Sequence, residues 1–278
     1  MAGFRFEALR RLAVGGVWIV IGVGAAIEAR AGTFEVKDTD VERGQTEIGT
    51  NNAFFSGYPA NADTVRFSNE ISIARGMTSW WLAAVKANGD KDVDGSFKYG
   101  TVGTEHIITL RKFGNGFGIA LYGGVDVAVA NEATNAFNFG PILKFGSDEL
   151  SFGLNTFFTR TFGQNRSNGV DFSYSWNVKR EVREGFSVGI EGHGAIADIA
   201  HAQGLAFQEH RIGPVLYFEK PLGKAGASGK PMKLGVKEPA ADKEGADGPK
   251  LAVEAGAFFG LTDGTQDRAY KLKGAIQF

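Results

Sequence analysis

The sequence has no cysteine, only four histidines and three methionines in 278 residues, and no charge excess of either sign, with 30 basic against 31 acidic side chains. Without cysteine there is no disulfide framework and no thiolate metal site. A formal net charge of −1 leaves no basic footprint for nucleic acid, so no nucleic-acid partner is expected. After residue 31 no apolar run approaches the ~18 residues of a membrane helix. None of His106, His193, His201 and His210 sits in an H-E-x-x-H pattern, and no acidic cluster has a familiar metal spacing. Glu191 and His193 are two residues apart and share a face of a strand, the one pairing able to share a ligand. Gly114-Asn-Gly-Phe-Gly118 is a glycine-rich turn with no helix behind it to hold a phosphate. No cofactor and no metal is expected.

Glycine and phenylalanine are abundant instead, at 40 and 23 residues. Glycine suits tight turns, bulges and crowded barrel interiors, and phenylalanine suits lipid-facing positions. The amino terminus has the layout of a secretory signal peptide. Arg5, Arg10 and Arg11 precede a charge-free apolar run from Leu12 to Ala26, and Ala29-Arg30-Ala31 offers small residues at both positions of a cleavage site. The surroundings of Arg10-Arg11 fit a twin-arginine signal poorly. Cleavage after Ala31 leaves a mature chain, 32–278, with 26 basic and 29 acidic residues, a net charge of −3.

Period-two alternation fills the mature chain. Phe117, Ile119, Leu121, Val125, Val127 and Val129 share one face, against Ala120, Tyr122 and Asp126 on the other. Val170 to Val178 and Leu150 to Phe162 repeat the design. Segments this long exceed an ordinary globular strand but suit a tilted membrane crossing. With these as anchors the pattern predicts an all-β chain of 12 strands, near 45–55, 64–75, 79–88, 98–113, 117–130, 136–146, 150–162, 169–180, 185–197, 208–220, 250–260 and 269–278. Short connections such as Gly114-Asn-Gly116 alternate with longer polar ones such as Gly163 to Gly169, the layout of short periplasmic turns opposite longer external loops. Residues 221–249 break this rule. They form a tract rich in Lys, Gly, Ala and Pro whose composition is that of a flexible periplasmic insertion. Phe139-Gly-Pro141 and Ile212-Gly-Pro214 are an internal echo, and a proline in mid-strand predicts a bulge or bend at each.

On the inferred inner face stand Arg66, Arg111, Lys144, Lys179, Arg211, Lys271 and Lys273, opposed by Glu70, Glu105, Asp126, Asp171, Glu191, Glu219 and Glu254, with His193 beside Glu191. Seven against seven predicts either an ion-pair network or a polar solute pathway without strong ion selectivity. Trp80-Trp81, Phe157-Phe158 and Phe258-Phe259 are expected to belong to interfacial girdles.

The last nine residues carry a resemblance. Tyr270, Leu272, Ile276 and Phe278 alternate with Lys271, Lys273 and Gln277 and end on an aromatic carboxyl terminus, which resembles the closing strand of bacterial outer-membrane β-barrels. That resemblance implies a transmembrane up-and-down barrel, outer-membrane lipid around it, and the barrel assembly machinery reading the terminal strand. Phe54-Phe-Ser-Gly-Tyr-Pro59, Val65-Arg-Phe-Ser-Asn-Glu70, Thr104-Glu-His106 and Gln208-Glu-His-Arg-Ile-Gly-Pro214 are similar to a family of proteobacterial outer-membrane barrels to which no mechanism attaches. A looser similarity links the chain to transporter-like barrels associated with aromatic-compound uptake. Ser167-Asn-Gly169 with Ser173 to Asn177 resembles the active-site strand of outer-membrane phospholipase A. That family has a histidine two residues before the serine, where this chain has Asn165, which cannot act as a general base. The expectation is therefore a non-enzymatic outer-membrane barrel, a passive channel or transporter for small solutes. The alternatives are a structural or surface-interaction barrel with a plugged lumen and, less favoured, a lipid-modifying enzyme.

Overall fold

The computed structural model describes residues 33–278 except 115, 148 and 224–247. The signal segment 1–31, with Ala29 and Ala31, and most of the 221–249 tract lie outside the described residues. Among those described, twelve strands follow one another: β1 (Thr46–Ser56), β2 (Val65–Gly76), β3 (Trp81–Asp92), β4 (Lys98–Lys112), β5 (Gly118–Ala128), β6 (Asn135–Gly146), β7 (Leu150–Phe162), β8 (Asp171–Arg183), β9 (Phe186–Ile196), β10 (Glu209–Pro221), β11 (Lys250–Gly260) and β12 (Arg268–Gln277). All twelve expected strands are present. The largest boundary difference is at β3, which runs four residues beyond its expected end.

Each strand is antiparallel to its chain neighbours, and β1 closes on β12 through ten residue pairs from Glu47–Gln277 to Ser56–Arg268. Closure leaves no unpaired edge strand, as a bilayer demands. Extra residues bulge the ladder at Arg66 between β2 and β3 and at Leu110 between β4 and β5.

The alternation sorts the side chains. Ile73, Val85, Leu121, Val127, Ile190 and Leu272 stand on the outside, while Ala53, Ala120 and Ile142 are sealed inside. Outer aromatics gather in two belts. Near the short turns Phe113, Phe117, Phe145 and Phe152 follow one another at 4.6–6.0 Å between centroids. Near the long loops Phe139, Phe158 and Phe172 do the same at 5.4–5.6 Å. The expectation for the paired phenylalanines is corrected at one member of each pair. Adjacent residues of a strand face opposite ways, so Phe158 and Phe259 face out, whereas Phe157 packs on Tyr122 and Phe258 is 1 % exposed inside the barrel.

The Gly-Pro echo is also corrected. The β6–β7 register passes from Phe139–Phe158 to Ile142–Asn155, and the β10–β11 register from Ile212–Phe259 to Val215–Gly256, with no inserted residue. The ladder skips the Gly-Pro pair without bulging. Each glycine lets the next strand come close: a Cβ on Gly140 would overlap the Thr156 carbonyl, and one on Gly213 the Ala257 carbonyl.

Candidate functional site

The barrel is not empty. Residues 33–45, which form no strand, thread the lumen before β1 begins, a feature that was not expected from the strand pattern. Two apolar pegs seat this strap. Phe34, 2 % exposed, packs with Ala53, Val215, Tyr217, Phe258 and Ala269 on the wall made by β1 and β10–β12. Val41 packs with Ile107, Ala120, Tyr122 and Ile142 on the wall made by β4–β6. The strap therefore crosses from one wall to the other.

Between the pegs the contacts are polar. The Lys37 N–H donates to Asn155 Oδ1 at 2.6 Å, and Asn155 Nδ2 donates back to the Lys37 carbonyl at 3.0 Å. The Ser175 hydroxyl lies 3.2 Å from both the Glu35 carbonyl and Asn155 Oδ1. Thr109 Oγ1 donates to the Thr39 carbonyl at 2.7 Å. At the mouth beside the short turns, Lys144 meets Asp38 at 2.9 Å and also Asp40, which Lys112 reaches at 2.7 Å. Burial alone would raise the Asp40 carboxyl, but hydrogen bonds from Lys112 and Lys144 hold it below its ordinary value.

The expected inner-face charges divide into groups around the strap. On the β2–β5 wall Glu70, Glu105 and Asp126 converge on Lys86, at 3.8, 3.1 and 3.5 Å. Tyr122 also donates to Glu105 at 2.9 Å, and Asn51 to Glu70 at 3.1 Å. On the opposite wall Glu191 receives Lys271 at 3.0 Å, the Tyr217 hydroxyl at 2.7 Å and His193 Nε2 at 3.0 Å, and Lys271 also pairs with Glu254 at 2.6 Å. Glu191 thus spends its oxygens on protein donors. No group of three or more His, Asp or Glu suited to a metal occurs among the described residues.

Lys144, Lys179 and Glu219 belong to the mouth beside the short turns, where Lys179 and Glu219 are 3.6 Å apart. In the loop half of the lumen, Arg211 lies over Phe34 and bonds Glu209 and Gln266, and Asp171 accepts the Asp198 N–H at 2.9 Å. Two residues do not join the lumen groups. Arg66 is exposed at its bulge, and Arg111 is exposed and lies over Phe113. Both stand where a bulge breaks the alternation from which their inward direction was read.

Sequence reasoning missed Lys86 and the strap's Glu35 and Lys37. Around Lys86, Leu82 and Ala84 face inward and Ala83 and Val85 the other way, so both faces of β3 are apolar and no alternation marks the inner one. The strap lacks any strand pattern, although its mixture of Phe34 and Val41 with six charges was a signal of an amphipathic segment.

A cavity of about 540 Å³ opens beside the strap toward the short-turn end. Eleven acidic residues line it against four lysines. The excess of acids arises because Lys86 and Lys271 do not line the cavity, although they pair with Glu70, Glu105 and Glu191, lining residues as buried as they are. The serine of the phospholipase-like segment has no base beside it; Ser167 Oγ is 2.9 Å from Thr161 Oγ1, and Asn165 Nδ2 donates to the Asn131 carbonyl at 2.7 Å.

No family model matches the chain, and no curated protein matches it. Solved structures do. The NanC porin matches with a TM-score of 0.50 at 10 % identity, covering 83 % of this chain and 98 % of its own. The KdgM porin matches at 0.45 and 13 % identity, covering 84 % and 98 %. Omp33 of Acinetobacter baumannii matches at 0.40 and 11 % identity, covering 84 % and 97 %. At such identity the NanC likeness is one of fold. Together with the closed ladder and the two aromatic belts, it makes the chain a 12-stranded β-barrel of the bacterial outer membrane.

Proposed function

We propose that this barrel is an outer-membrane conduit for small solutes, selective for cations and throttled by its own strap. The observation that carries the reading is the cavity of about 540 Å³ with its eleven acids to four lysines. A low-dielectric wall lined by one sign of charge concentrates counter-ions and rejects co-ions. Glu35, Val36 and Lys37 of the strap themselves line the cavity, so a solute that enters it meets the strap. Outer-membrane lipid covers the aromatic belts, and Tyr270, Leu272 and Ile276 on the last strand with Phe278 just beyond it, all exposed, present a signal to the barrel assembly machinery.

Single-channel recording of the refolded chain under a potassium chloride gradient tests this. Discrete steps that reverse toward the potassium equilibrium potential are expected. The competing reading, a structural barrel with a plugged lumen, draws on the two apolar pegs. It would be established by a folded, heat-modifiable barrel that stays silent both in its native form and as Phe34→Ala/Val41→Ser.

A further inference from the structure

The wall that holds the strap is built to read peptide main chain. Three strands supply it: Ser175 from β8 reaches the Glu35 carbonyl, Asn155 from β7 takes both main-chain groups of Lys37, and Thr109 from β4 reaches the Thr39 carbonyl. The contacts fall on residues 35, 37 and 39, the period of an extended chain whose alternate residues face one way. They are blind to side-chain identity. Charge is read separately, at Glu105, which takes Lys37 at 2.8 Å, and at Lys273, which takes Glu35 at 2.9 Å.

Asn155 gives the ladder its meaning. It is 0 % exposed, sits on a barrel strand, and directs both ends of its amide at a segment outside the β-ladder. A buried amide left without partners is costly, because its donor and acceptor have lost water and gained nothing in exchange. If the strap withdraws, the occupant that best restores those bonds is another main-chain amide. The cavity is lined by Glu35, Lys37, Glu105 and Lys273 and opens to the short-turn mouth, so an occupant entering there reaches the charge-reading pair first and the main-chain ladder once the strap has withdrawn.

Resting on the conduit reading above, we infer that Asn155, Ser175 and Thr109, with Glu105 and Lys273, form a binding site for short extended peptides that carry an acidic and a basic residue two positions apart, and that the strap occupies this site as an internal pseudo-ligand. Solutes of that class compete with the strap, whereas neutral sugars of equal length do not.

The test uses the full chain with the pegs removed, Phe34→Ala/Val41→Ser, checked for heat-modifiable mobility and recorded in a planar bilayer. The probe is the end-blocked peptide Glu-Val-Lys-Asp-Thr-Asp, with maltohexaose as control. The peptide is expected to interrupt the current at a concentration at least tenfold below that needed for the sugar, and adding Asn155→Ala should raise the blocking concentration about tenfold. A second variant, Val36→Cys/Gly153→Cys, exploits the cysteine-free background, because a Cβ at Gly153 would lie 3.2 Å from Val36 Cγ1. Its oxidised, locked barrel should be insensitive to the peptide. Peptide and sugar blocking alike, or a block indifferent to Asn155→Ala, would overturn the peptide site while leaving the conduit intact. Silence of every variant would remove the conduit reading itself.

Discussion

Glu35 on the strap and Lys273 on the last strand stand 2.9 Å apart, and this pair joins two charge clusters on opposite walls into one line. From Lys86 the line runs through Glu105, Lys37, Glu35, Lys273, Glu254 and Lys271 to Glu191, alternating in sign at each step. The strap supplies its third and fourth members, Lys37 and Glu35, so reversing one of them sets like charges together inside the lumen. Glu35→Lys is expected to unseat the strap and raise single-channel conductance roughly twofold, since like charges at such range repel strongly in a lumen poorer in water than bulk. Adding Lys273→Glu should bring the conductance back toward the native value. An unchanged conductance in the single variant would separate the strap from the conduction path.

Lys271 and Glu191 are both about 1 % exposed at the side chain, and each has further partners. Removing one member of a buried pair strands the other charge, at a cost of roughly 3–5 kcal/mol. Lys271→Met should therefore lower the temperature at which the barrel loses its folded mobility on gels. Lys271→Met/Glu191→Gln should recover much of the loss, because the stranded carboxylate is gone. A single variant as heat-resistant as the native barrel would show that Glu191 is satisfied by His193 and Tyr217 alone.

These clusters also mark how far the sequence could be read. Strand number, closure by the last strand and the inward direction of Glu70, Glu105, Asp126, Glu191 and Lys271 follow from period-two alternation, a property of each strand by itself. What escaped depends on contacts between segments. Lys86 lies on a strand apolar on both faces, and Arg66 and Arg111 sit at bulges that local alternation cannot anticipate. The strap is held by groups contributed from β4, β7, β8 and β12, which become neighbours only once the barrel has closed. The excess of acids in the cavity lining has the same origin, because which lysines line it is decided by which strands face each other.

The two Gly-Pro sites yield a prediction with an internal control. A methyl at Gly140 or Gly213 would meet a backbone carbonyl of the neighbouring strand, which cannot turn aside as a side chain can. Gly274, on the outer face of β12, has nothing within 4 Å of where a Cβ would stand. Gly140→Ala and Gly213→Ala should each destabilise the barrel by about 1–3 kcal/mol, the range for overpacking. Gly274→Ala should be neutral. The urea midpoint for unfolding from lipid vesicles reads all three, and equal midpoints would mean that the ladder gap at Gly-Pro has slack to open further.

The lower end of the strap should respond to acid through Asp40. This carboxyl lies outside the strands at the mouth, where Asp38 shares Lys144 with it and Lys112 pairs with Asp40 alone. Its folded value lies below its unfolded one. Such a group contributes stability fully above the ordinary carboxylate range, near pH 4, and that contribution is lost as pH falls through the depressed folded value. The latch should thus hold at neutral pH and let go only in acid. A spin label on Glu42→Cys, unique in a cysteine-free chain, reports the change. Its spectrum should be immobilised at pH 7 and become mobile at pH values below about 4. Asp40→Asn should be mobile already at pH 7, with no acid transition. If Asp40→Asn kept both the immobilised spectrum and the transition, Val41 and Asp38 would be holding this end of the strap without Asp40.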